Sequence, residues 1–206
     1  MNVASCLRAL LRAMAAAAIV AGLFIGAPSS AGEQLRLVQA SPDAAARAQR
    51  LDQLFANLKA AKAEDEADAI VSEIWKLWQQ SGDADIDELL HQAILLMGQG
   101  IATLAMPILD DIVKRLPDFA EGWNKRATML YLMGEHDRSL ADIERVLALE
   151  PRHFGALAGI GLIRMDRGEY RGALAAFRKA LALNPFLKER HNLIPALEKE
   201  VGEKAL

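Results

Sequence analysis

Cysteine is almost missing from this chain: Cys6 is the only one among 206 residues. A disulfide framework is therefore excluded, and the fold must be held by packing. Runs that alternate apolar and polar residues are missing too, so nothing reads as a half-buried strand. β-Branched and aromatic residues are few while Ala and Leu dominate, which favours helix throughout. No charge of one sign prevails, with 24 basic residues against 27 acidic ones. That slightly acidic balance argues against nucleic acid and anionic membrane surfaces as partners.

Catalytic and metal-binding patterns are also wanting. His91, His136, His153 and His191 form no close ligand pair, and no His-Glu-x-x-His occurs. Glu135-His136-Asp137 reads as a solvated turn. The acids Glu64-Asp65-Glu66 and Asp83, Asp85, Asp87 and Glu88 lack calcium-loop spacing and suit helix starts. Gly155, Gly159 and Gly161 follow no strand, so close helix packing explains them better than a phosphate loop. No serine or cysteine sits in a nucleophile motif. No cofactor is implied. Trp75, Trp78 and Trp123 fall on apolar stripes and are expected in the core.

What is present begins with a leader. Arg8 and Arg12 precede an uncharged apolar run over residues 13–27, followed by Pro28-Ser29-Ser30-Ala31. The run is short for a stable membrane span, and its flanks suit a secretory signal over residues 1–31, cut after Ala31 or, further on, after Ala40. Cys6 would leave with it, and the remaining chain would carry 22 basic and 27 acidic residues. Export, most simply to a periplasm, is the expectation.

Residues 32–46 read as a linker, and Ser41-Pro42-Asp43 as a helix start signal. Leu51, Leu54, Phe55 and Leu58 then recur at helical spacing, and residues 67–78 carry a second wide apolar stripe. Together residues 47–83 form a helix pair. Beyond it two breaker residues keep one interval. Pro117, Pro151 and Pro185 are 34 residues apart, and so are Gly100, Gly134 and Gly168. Glycine permits the left-handed backbone of a helix–helix turn, and proline stops the second helix. Asp118 and Glu121 are placed to favour a helix N-terminus.

Trp123-x-x-Arg126-Ala127-x-x-Leu130, then Ser139-x-x-x-Ile143 and Pro151, resembles the tetratricopeptide repeat, as does Leu157-x-x-Ile160-Gly161 with Ala173-x-x-x-Phe177 and Pro185. The resemblance covers residues 84–185, and more loosely 47–83. Gln92 and Arg126 stand where a leucine is expected and Arg164 where a tyrosine is, which should weaken local contacts. The stretch from Asp142 to Ile163 is similar to small exported repeat proteins of Gram-negative bacteria. The implied fold is an all-α, right-handed α-solenoid: a degenerate first pair capping the array, three repeats, and a C-terminal capping helix over residues 186–206. Pro195 should kink or split that last helix, and Pro107 should distort its own.

Such arrays present a concave face lined by each unit's first helix. The repeat register places Leu90, Ile94 and Met97 there in the first unit, Asn124, Lys125, Thr128 and Tyr131 in the second, and Ala158, Leu162 and Met165 in the third. Asn124 and Lys125 are too few for a carboxylate clamp. An apolar hollow with a polar band suits a protein segment, an amphipathic helix or an extended peptide. The implied function is a non-enzymatic adaptor of the cell envelope. One alternative is a self-assembling structural subunit. Another is a hollow filled by the chain's own residues 32–50.

Overall fold

Three of the turns share one geometry. Gly100, Gly134 and Gly168 have φ of 74°, 79° and 72°. Around each, the residue after the glycine donates its N–H to a carbonyl five residues back: Ile101 to Leu96, Glu135 to Leu130 and Glu169 to Arg164. This is the Schellman closure, which satisfies helix-end carbonyls and needs a left-handed residue at that place.

The computed structural model describes residues 42–203. The expected leader, both cleavage points and most of the linker lie outside the described residues. Nine α-helices follow among those described: α1 (Pro42–Ala60), α2 (Glu64–Trp78), α3 (Ala84–Gly98), α4 (Ala102–Arg115), α5 (Ala120–Leu132), α6 (His136–Leu149), α7 (Phe154–Asp166), α8 (Tyr170–Leu183) and α9 (Leu193–Glu203), with a 3-10 turn at Lys188–Arg190 before the last. Residues 42–46, expected in the linker, already belong to α1. Among the described residues there is no strand.

Helices α3/α4, α5/α6 and α7/α8 are three antiparallel units, and each passes apolar side chains to the next. Leu90, Ala93, Leu109 and Ile112 of the first unit pack with Phe119 and Met129 of the second. Ala127, Ile143 and Val146 of the second pack with Ala156 and Ile163 of the third. Gly161 lets α7 and α8 approach closely: a Cβ there would lie 2.6 Å from Cζ of Phe177. After Pro185 the chain adds Leu187, Ile194 and Leu197 to the core beside Phe177. The break tied to Pro195 falls just before Leu193, and α4 runs through Pro107 unbroken.

Three local expectations are corrected. Asp118 does not cap α5, whose N-cap is Phe119 with no side-chain bond. Arg126 strengthens its surroundings instead of weakening them. It donates to both Asp142 oxygens at 2.8 Å and to Asp110 at 3.0 Å, tying α4, α5 and α6 together. Those carboxylates raise its pKa, against the opposing effect of burial. Trp123 is only half-buried; its indole donates to the Pro117 carbonyl at 3.0 Å under the Arg126 guanidinium.

The first helix pair does not cap the array end to end. Leu51, Leu54, Phe55 and Leu58 of α1 and Ala67, Ile74 and Trp78 of α2 join a core with Phe154 and Ala158 of α7. The pair thus leaves the first unit uncovered and settles against the third, with Trp75 also reaching Lys125 of the second.

Candidate functional site

The hollow is built by α3, α5 and α7, and its third-unit end is filled. Phe154 meets Phe55, Trp75 and Trp78 at ring separations of 6.3, 5.6 and 5.1 Å. A Cβ on Gly155 would touch the Trp75 ring at 2.7 Å, so this glycine admits the indole. The Lys125 ammonium lies 5.2 Å from the Trp75 ring centre, which places α2 across α5 as well as α7. Ion pairs fringe the seat: Arg152 meets Asp52 at 2.6 Å, and Arg190 meets Glu64 at 3.1 Å.

Beneath the seat is a buried polar group. The His153 ring stacks on Trp78 at 4.2 Å. Its Nδ1 accepts the Ala156 N–H at 3.0 Å and caps α7. Nε2 therefore carries the proton and donates to Oε2 of Glu121 at 3.1 Å. Asn124 donates to the same oxygen at 2.9 Å. Lys125 Nζ stands 2.8 Å from the other oxygen, an ion-pair contact that is not an aligned hydrogen bond. Glu121 and His153 have no solvent exposure. Burial pushes the Glu121 carboxyl up, but Lys125 and His153 outweigh it and lower its pKa from 4.5 to about 2.

The ten residues expected on the concave face fare differently. Leu90 is buried within its own unit. Ala158 is buried in the core that the first helix pair joins, and Leu162 and Met165 pack, half-buried, against that core. Asn124 and Lys125 turn to Glu121 and do not form a polar band for a ligand. Ile94, Met97, Thr128 and Tyr131 remain half-buried, with Tyr131 stacked on His136 at 5.6 Å. The third-unit end of the hollow is filled from within by residues 51–78, while residues 32–41 of the expected filling segment lie outside the described residues. Glu121 and His153 were missed as a pair. The signal was faint: Glu121, Asn124 and Lys125 share a helical face, but nothing local links them to His153. No cluster of His, Cys, Asp and Glu among the described residues could hold a metal ion, and no described helix is long and apolar enough to cross a membrane.

Stacked helix pairs with one turn geometry define a helical-repeat solenoid. The tetratricopeptide repeat profile matches residues 154–187. A TPR repeat-containing protein of Rhizobium etli is 38% identical over 158 residues, spanning 77% of this chain and 78% of that protein. The Sgt2 TPR domain from Aspergillus fumigatus shares the fold with a TM-score of 0.54 at 19% identity, over 60% of this chain and 83% of that one. The MamA crystal structure does so with a TM-score of 0.52 at 17% identity, over 75% of this chain and 84% of that one. The chain belongs to the tetratricopeptide repeat family.

Proposed function

We propose that this protein is a non-enzymatic adaptor of the periplasm that holds a protein segment in its concave hollow and supports envelope assembly or integrity. The family's fold serves protein–protein interaction, and the leader-like residues 1–31 support export. One observation carries the choice of ligand. The hollow already receives a helix pair through an apolar stripe fringed with acids, so its chemistry suits an amphipathic helix with aromatic anchors and flanking carboxylates.

The test is crosslinking in intact cells, followed by capture from envelope extract. Wild type is compared with a Met97→Glu/Thr128→Glu variant of unchanged helicity. A specific partner held by wild type and lost by the variant supports the reading; equal recovery overturns the surface. Fractionation addresses location: unprocessed chain retained in the cytosol would remove the periplasmic assignment.

A further inference from the structure

The repeat register exposes a vacancy at the start of the array. Leu95, Met129 and Ile163 occupy the same position in successive units, 34 residues apart. Met129 is 3% exposed and packs on the first unit, and Ile163 is 0% exposed and packs on the second. Leu95 is 42% exposed. The position is thus a stacking position, covered by the second helix of the preceding pair. For Leu95 that helix would be α2, the second helix of the only preceding pair among the described residues. Yet α2 lies in the hollow of the third unit.

The connection between α2 and α3 permits another placement. It consists of residues 79–83, with Gly82 at φ 89° and nothing within 4 Å of where its Cβ would be. Its contacts are polar: Arg47 donates to the Gln80 carbonyl, and the Ser81 N–H donates to Asp87 at 2.7 Å. The present seat is also imperfect. The Trp78 indole N–H is buried with no acceptor, and an unmet buried donor destabilises the seat. The Arg152–Asp52 and Arg190–Glu64 pairs are largely solvent-exposed on the acidic side and weakly stabilising.

We infer that the α1–α2 pair is a displaceable plug with two seats: the hollow over Phe154 and Gly155, and the open stacking face marked by Leu95. In the first seat it covers part of the ligand surface. In the second it extends the array as a regular preceding unit and uncovers that surface. This rests on the adaptor reading for its purpose, but its test needs no partner.

The experiment uses the full chain with Cys6→Ser and spin labels at Lys76→Cys and Lys114→Cys, both exposed positions. Electron–electron distance measurements report where α2 lies. The labelled parent should show one dominant distance. Phe154→Ala removes a ring whose recorded aromatic partners, Phe55, Trp75 and Trp78, all belong to the plug. It should raise a second, discrete distance by about tenfold or more in population. Adding Leu95→Asp, at a site exposed in the closed form, should abolish that second distance. Should Phe154→Ala fail to fold, Asp52→Lys at the exposed end of the Arg152 pair loosens the same seat more gently. An unchanged single distance in the loosened variants overturns the plug. A second distance that survives Leu95→Asp overturns the second seat. A doubled mass by light scattering also overturns it, in favour of exchange between two copies. Failure to capture any envelope protein alongside two clear distances would count against the adaptor reading alone.

Discussion

The first helix pair and the third repeat are both antiparallel hairpins with wide apolar stripes, yet one stacks and the other crosses the molecule. The third repeat carries small residues at the close approaches, Gly161 against Phe177 and Ala156 against the second unit. Its inter-helix turn is set by Gly168 and its end by Pro185. The first pair has Trp75 and Trp78 where the register of the later units has Leu109, Ile143 and Phe177, and Ile112, Val146 and Ala180, and it has no closing proline. In the seat it occupies here, Gly155 makes room for the Trp75 indole. Apolar periodicity makes a hairpin; the pattern of small residues decides what it lies against.

The contrast is open to attack, beginning with its strongest element. Phe177→Ala should destabilise the array by about 3–5 kcal/mol through lost transfer energy and a cavity. Chemical denaturation of the full chain would read it, and a loss below 1 kcal/mol would show that the third unit is not the anchor. Next is acid. Glu121 has a lowered pKa in the folded state, so its contribution is present above its unfolded value near 4.5 and is lost as pH falls toward 2. That loss should be about 3 kcal/mol, and Glu121→Gln should flatten this part of the stability–pH curve. An unaltered acid limb would detach the second unit from His153. Gly134→Val places a β-branched residue at φ 79° and should cost about 1–2 kcal/mol with no steric clash. A melting temperature unchanged from wild type would contradict the strained-turn account. Smallest of all, Leu95→Asp should shift global stability by no more than about 0.5 kcal/mol. A large loss would mean that Leu95 is already covered.

The sequence showed the repeat scaffold well because period 34 is written in residues that act locally. Gly100, Gly134 and Gly168 act through their own φ, and prolines 117, 151 and 185 through a missing N–H. Residues whose roles depend on distant partners were harder to read. Asn124 and Lys125 stand at groove positions, but their direction is set by Glu121, which is held in turn by His153. Arg126 looked like a faulty leucine until Asp110 and Asp142 were placed around it. Covering of Phe154 and Gly155 depends on where a hairpin some 80 residues earlier comes to rest, and no local pattern encodes that.

The Glu64–Arg190 pair joins residues 126 positions apart, and Asp52–Arg152 joins residues 100 apart. During synthesis, the first hairpin therefore emerges long before its resting place exists. Trp75, Trp78 and Phe55 lack their contacts with Phe154 until residues 152–190 have left the ribosome. Docking of the hairpin in this seat therefore has to follow synthesis of the third repeat, and its aromatic stripe has to be kept from other surfaces until then.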